Sequence, residues 1–415
     1  MKKKLTFIDL FSGCGGLSEG FLMSNKFYGL AHVEWELPMV RTLRNRLEKK
    51  WNHSKEDSLK RVIHFDIQKT EELINGNWSD NSFQEFGSNN HHLITKVGLK
   101  GLIGRDKVDV IIGGPPCQAY SIAGRAQDKN SMKDDYRNFL FESFVKVVEA
   151  FSPKCFVFEN VPGLLSACPG DISVPQRIYD AFKKIGYTIL KPEELKSAVF
   201  SANNFGVPQT RKRVIIIGVK SGNESVLKDV YRKLTNFSNT TKSSLSVKHA
   251  IGNLPKLKPL TKSSIDKPIS ISHAYEKGAI KVMHHEPRFH NPRDIKIFKE
   301  WIHNNMNSKK TQEKTEFYYA NTGKKSNHNK YRNLEWDKPS PTIVAHLSKD
   351  GLMFIHPDAT QARSITLKEA ALLQSFPDDY EFLGNLGVCY KMVGNAVPPK
   401  MAKEIAKIIS NEFIK

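Results

Sequence analysis

Cysteine is scarce and scattered in this 415-residue chain: Cys14, Cys117, Cys155, Cys168 and Cys389 form an odd set with no repeated spacing, which excludes a disulfide framework. No apolar run approaches the ~20 residues that cross a bilayer as a helix. The basic cluster at Lys2–Lys4 precedes only a short apolar stretch, broken by Asp9 and then by glycines. It does not make a secretion signal, and the chain is read as cytoplasmic. Acidic residues are in deficit, 43 against 63 Lys and Arg, for a formal net charge of +20. Residues 221–340 hold +12 of this excess, against +8 for 1–220 and 0 for 341–415. Such concentration asks for a polyanionic partner, most simply nucleic acid, although a generally basic soluble surface would show the same count. The same central segment has seven histidines and no cysteine, which excludes a Cys–His zinc finger there. Their spacings match no ligand pattern, so no metal is expected.

Against these absences stands a clear alternation over residues 1–220 of short apolar runs with amphipathic stretches, the pattern of a parallel sheet built from βαβ units. The runs predict strands at Leu5–Leu10, Tyr28–Glu34, Val108–Gly113, Cys155–Glu159 and Val214–Gly218, and helices at Tyr136–Phe151 and Pro175–Ile185. Between Asp66 and Val108 lies a polar segment, rich in Asn, Ser and His, that reads as a surface insertion without an assigned role. Residues 221–340 are Ser-, Asn- and Lys-rich with repeated prolines and weak periodicity, which predicts a second, loop-rich domain. Helical signals return at Thr366–Ser375, where Thr366 and Glu369 have capping-box spacing, and at Pro399–Phe413.

Chemistry-bearing residues gather at the predicted strand ends, where ligands collect in open α/β sheets. The run Val108–Ile112 breaks at Gly113-Gly114-Pro115-Pro116-Cys117-Gln118, and the paired prolines present the thiol in a defined direction. From position alone, Cys117 is equally readable as a nucleophile and as a buried structural cysteine. The first strand enters Phe11-Ser12-Gly13-Cys14-Gly15-Gly16, a glycine-rich turn that lacks the third glycine of the dinucleotide fingerprint. The second ends at Glu34-Trp35, where a ribose-binding carboxylate belongs, and Asp66 follows in His64-Phe65-Asp66-Ile67. Together these suggest an adenosine-containing cofactor; singly, Trp35 and Ile67 read as core. Glu159, in Phe158-Glu159-Asn160-Val161, has the place of a general acid near Cys117 or of an ordinary capping glutamate. Alternation sets Gln209, Arg211 and Arg213 on one strand face, three donors for anions or carbonyl oxygens, or else a solvated charge cluster.

In their order, these motifs resemble those of the DNA (cytosine-5) methyltransferases. The resemblance rests on residues 11–16, Glu34-Trp35, Asp66, Pro115–Gln118, Glu159-Asn160-Val161, Gln209-x-Arg211-x-Arg213, Arg363 to Pro377 and Gly394-Asn395-Ala396-Val397-Pro398. It covers most of the chain outside 68–107 and 221–340. It implies an α/β, Rossmann-like S-adenosylmethionine-dependent methyltransferase fold with a second, smaller, loop-rich DNA-recognition domain. The catalytic and cofactor-binding domain would span 1–220, completed by 386–415, with the target-recognition domain and hinge over 221–385. Cys117 would be the nucleophile, assisted by Glu159, Arg211 and Arg213. Phe11, Ser12, Gly13, Gly15, Gly16, Glu34, Trp35, Asp66, Ile67, Pro116, Leu140 and Asn395 would bind S-adenosylmethionine. Ser121–Arg125 resembles the family's mobile catalytic loop, and Gln118, Ser121, Arg125, Gln209, Lys324 and Lys325 would face DNA. Tyr318, Tyr319, Asn321, His328 and Lys330 are further candidate groove contacts. The implied partner is double-stranded DNA met by a monomer, with any cognate restriction endonuclease acting separately. The family's tRNA-directed branch shares the catalytic motifs, but its Cys-Phe-Thr triplet is absent. A catalytically silent DNA-binding relative would lack Cys117, Glu159 or Arg213, and all three are present.

Overall fold

The apolar run Leu5–Leu10 forms a strand, β1, that is buried almost throughout, as its composition demands. In the computed structural model, which describes residues 4–116, 140–241, 245–260 and 271–413, β1 lies between two parallel neighbours. These are β2 (Phe27–Glu34) on one side and β4 (Val110–Gly113) on the other. β3 (Val62–His64) extends the sheet beyond β2, and β5 (Cys155–Asn160) extends it beyond β4, both parallel. The parallel sheet expected from the sequence holds through β5 and changes direction past it. There β9 (Lys212–Lys220) runs antiparallel, and β6 (Tyr187–Thr188) and β7 (Val199–Ser201) pair antiparallel with β9. The connection from β7 is too short for the crossover that a parallel strand needs. The carboxyl ends of β1–β5 and the amino end of β9 consequently share one edge, with Asn160 opposite Val214.

Helices cover this sheet. Helix Gly16–Met23 packs on helix Pro399–Phe413 so closely that a Cβ on Gly20 would fall 2.3 Å from Ala402 Cβ and 2.5 Å from the Pro399 carbonyl oxygen. Only glycine admits that approach. The polar segment after Asp66 folds into helices Thr70–Asn75, Asp80–Phe86 and His92–Ile103. Among the described residues no helix is long and apolar enough to cross a membrane.

The chain divides into two compact units, the first drawn from residues 1–206, 211–242 and 396–415, the second from 207–210 and 243–395. These boundaries differ from the expected 220 and 386. Composition changes at 220, but the helix Glu224–Thr240 still carries an apolar stripe at Leu227, Val230, Tyr231 and Leu234. The Tyr231 hydroxyl donates to the Ile215 carbonyl at 2.9 Å and accepts from the Ile217 N–H at 2.9 Å, tying this helix to β9. At the other boundary, helix Leu386–Asn395 stays with the second unit, where the Tyr390 hydroxyl donates to the Ile365 carbonyl at 2.8 Å.

The second unit contains β8 (Gln209–Thr210) paired with β12 (Ser340–Pro341), and β10 (Leu257–Pro259) paired with β11 (His273–Tyr275). Its core gathers Ile297, Phe298, Trp301, Met306, Tyr331, Ile355 and Ala362 around helix Pro292–His303. The expected capping box is present, with Thr366 Oγ1 accepting from the Glu369 N–H at 3.2 Å and Glu369 Oε2 accepting from the Thr366 N–H at 2.7 Å. Glu369 also receives Arg363 through two bonds of 2.7 and 2.6 Å. Burial alone would raise its carboxyl, but the Arg363 guanidinium overrides this and holds it far below the usual range. The histidines of this region bridge loops. His273 joins the Ser272 hydroxyl to the Gln361 carbonyl, and His285 joins the Thr366 hydroxyl to the Pro255 carbonyl.

Candidate active site

At the end of β1 the chain turns at Phe11, with φ of 59°, and brings the Gly13 N–H to Glu34 Oε2 at 2.8 Å. Glu34 Oε1 accepts from the backbone N–H groups of Trp35 at 3.0 Å and Glu36 at 2.8 Å. Burial pushes the Glu34 carboxyl up to about 7 in spite of these bonds. Trp35 beside it keeps 54 % of its surface exposed, which leaves an aromatic face open to a ligand. Asp66 is half-buried just past β3, where its Oδ1 accepts from the Gln68 N–H at 3.0 Å. Ser12, Gly15, Gly16 and Ile67 are buried at these same strand ends. Leu140 is buried as the first residue of helix Leu140–Phe151, and Pro116 is exposed after the end of β4. Asn395 belongs to the second unit, where it is the exposed last residue of its helix.

Sequence reasoning missed a buried network under this turn. The Ser18 hydroxyl donates to Asp9 Oδ2 at 2.5 Å and lies 2.8 Å from His32 Nδ1. Burial pushes Asp9 up to about 8 and His32 down to about 3. The signal was a lone acid within a strand that is otherwise apolar but for Thr6.

On the other side of β1, Glu159 is the last residue but one of β5 with its side chain largely buried, and Arg213 Nε sits 2.7 Å from Glu159 Oε1. A Cβ on Gly114 would fall 2.7 Å from Glu159 Oε2, so the turn that follows β4 passes directly against the carboxylate. Asn160 Nδ2 donates to the Pro115 carbonyl at 3.3 Å and holds that turn. Arg211 is 1 % exposed, and its carbonyl accepts the Ala202 N–H at 2.8 Å. Gln209 departs from the expected trio. It is completely buried in the second unit, where Nε2 donates to Gln374 Oε1 at 2.6 Å and to the Leu373 carbonyl at 3.2 Å, and Oε1 accepts from the Ile343 N–H at 3.1 Å. An amide consumed in this way has nothing left for DNA, and its expected DNA contact is corrected to an internal tie. Cys117, Gln118, Ser121 and Arg125 lie outside the described residues.

A family model described as C-5 cytosine-specific DNA methylase matches residues 80–411. The chain belongs to this family. It is 35 % identical to a type II methyltransferase of Bacillus paralicheniformis, over 97 % of this chain and 98 % of that relative. It is 32 % identical to a type II methyltransferase of Haemophilus parahaemolyticus, over 98 % of this chain and 86 % of that one. Among solved structures, an Escherichia coli prophage protein described as a DNA modification methyltransferase covers 99 % of this chain and 100 % of its own, with a TM-score of 0.57 at 22 % identity, a likeness of fold. The protein is thus a DNA (cytosine-5) methyltransferase with a Rossmann-like fold.

For this methyltransferase, the donor set at the ends of β1–β3 fits an adenosine. Glu34 offers a carboxylate for a diol, Trp35 an open aromatic face, and Asp66 an acceptor for an amino group. In the second unit, an open pocket of about 440 Å³ is lined by Arg288, Arg293, Tyr318, Lys324, Tyr331 and Lys349, with Asp294 and Asp350 beside them. Of the expected DNA-facing residues, Lys324 lines this pocket and Lys325 is exposed next to it in sequence.

Proposed function

We propose that this methyltransferase moves a methyl group from S-adenosylmethionine to C5 of one cytosine in a short duplex sequence, through a transient bond between Cys117 and C6. The observation that carries the reading is the Glu159–Arg213 pair, fixed at 2.7 Å beside the Gly114–Pro116 turn that leads to Cys117. Glu34 holds the ribose hydroxyls, Asp66 the adenine amino group, and Trp35 stacks on the ring. When bound, the cofactor supplies an electrophilic methyl group.

Cytosine C5 is a poor nucleophile, and the chain's own residues correct this. The Cys117 thiolate adds to C6, which breaks the C5–C6 double bond and sends electron density to C5 and the ring nitrogen N3. Glu159 shares its proton with N3, and Arg213 steadies the carboxylate and faces the O2 carbonyl. Once C5 has taken the methyl group, water takes its proton, the C–H electrons restore the C5–C6 double bond, and Cys117 departs as thiolate. A stacked base cannot be approached in this way, so the cytosine leaves the helix at a cost of about a few kcal/mol. Phosphate contacts from the basic second unit, acting as target-recognition domain, offset that cost. The naming of its relatives as type II methyltransferases supports a protective role beside a separate restriction endonuclease.

Bisulfite sequencing of plasmid DNA from cells expressing the protein, beside Cys117→Ser, tests this. Cytosines protected in one recurring motif, and unprotected in the variant, are expected. Methylation that persists in Cys117→Ser would remove the thiol from the mechanism.

A further inference from the structure

The segment 68–107 has no part in this chemistry, yet it grips the sheet exactly where the cofactor residues leave it. β3 is an edge strand, and its last residue, His64, would present an open backbone N–H and C=O there. Asn90 closes both. Its Oδ1 accepts from the His64 N–H at 2.9 Å, and its Nδ2 donates to the His64 carbonyl at 2.7 Å and to the Phe86 carbonyl at 2.9 Å. One side chain does for His64 what a neighbouring strand would do. The His64 ring then sets Nε2 2.8 Å from the Trp35 carbonyl. Burial lowers its pKa, so the neutral ring donates at that bond. Between His64 and Asp66, the buried Phe65 ring stacks on Trp78 with centroids 4.1 Å apart and meets Phe86 at 5.2 Å. Arg44 adds a tie between layers, donating to the Val62 carbonyl at 3.1 Å and to the Asn89 carbonyl at 2.8 Å. The backbone leading to Asp66 is held from outside by residues of the segment, and the backbone of Trp35 is held by the ring of His64, whose own backbone the segment clasps.

We infer that segment 68–107 braces the cofactor pocket, with Asn90 acting through His64 as a positioning residue for Trp35 and Asp66. The inference rests on the S-adenosylmethionine reading of that pocket. A plain edge cover would protect β3 and leave ligand affinity alone; a brace sets the spacing between the stacking ring and the carboxylate.

Calorimetric titration of the full chain with S-adenosylmethionine, with thermal unfolding of the ligand-free protein in parallel, separates the two. Asn90→Ala and His64→Ala are expected to weaken cofactor binding roughly five- to tenfold, the worth of one buried hydrogen bond. KM for the cofactor should rise while kcat at saturating cofactor holds. His64→Gln, which restores a donor toward the Trp35 carbonyl, should recover most of the affinity. If Asn90→Ala does not fold, Asn90→Asp, which keeps the acceptor and loses the donor, carries the same comparison. A lowered melting temperature with unchanged cofactor affinity overturns the brace. Wild-type protein that binds no cofactor overturns the pocket assignment itself, before any variant is compared.

Discussion

A single methyl group on residue 114 would meet Glu159 Oε2 at 2.7 Å, and the atom it meets is the far end of a flexible side chain. Gly114→Ala should therefore fold and bind cofactor while swinging the carboxylate off its place, with methyl transfer falling roughly 10–100-fold. Glu159→Gln loses the acid itself and should fall roughly 10²–10⁴-fold. Radiolabelled methyl transfer beside a melting curve checks both, and equal rates for Gly114→Ala and wild type would deny the contact any weight. Glu34 sets a pH dependence. Its raised pKa means that the fold keeps this proton more firmly than the unfolded chain does. Its contribution to stability is complete below the ordinary value of 4.5 and is lost as pH rises through about 7. The ribose hydroxyls want the ionised form, so cofactor affinity should rise between pH 6 and 8 and become flat in Glu34→Gln, as calorimetry at several pH values would show. The strand ends that carry Glu159 and Arg213 were legible in the sequence because an apolar run announces each. Gln209 was not: its alternation with Arg211 and Arg213 is real, but it sits on a separate two-residue strand of the second unit.

Among elements, local pattern served well where burial is local. The expected β1 agrees with the structure residue for residue, and β2, β5 and helix Pro399–Phe413 agree to within a residue. It served poorly where partners are distant in the chain. Nothing near Lys212–Lys220 reveals that β5 receives it antiparallel, and nothing in the Ser- and Asn-rich stretch after 220 reveals that helix Glu224–Thr240 packs on that strand. The second unit has its own local signal at Asn291, whose side chain accepts from the Asp294 N–H at 2.9 Å and caps the helix carrying Arg293 to the rim of the pocket. Asn291→Ala should cost about 1 kcal/mol of stability in that unit. It should weaken DNA binding more than cofactor binding, a split that gel-shift and calorimetric titrations resolve.

For the whole molecule, acid should act on the two units unequally. His273, His290 and His356 are buried in the second unit, and burial lowers them to about 4, 3 and 3. The unfolded chain takes up these protons below about 6.5 and the fold does not, so each costs about 1.4 kcal/mol per pH unit as pH falls from there toward its folded value. In the first unit His32 behaves alike, but Asp9 and Glu34, both raised, pull the opposite way. Hydrogen exchange followed by segment between pH 6.5 and 4 should show residues 245–395 losing protection first; simultaneous loss would contradict this balance. Helix Gly16–Met23 and its partner Pro399–Phe413 are far apart in the sequence and are joined through the bare face of Gly20. During synthesis the earlier helix waits, with that face uncovered, until residues 399–413 have left the ribosome. Without residues 399–413 the earlier helix would lose the surface it packs on, and with it one support of the glycine-rich turn that the helix continues.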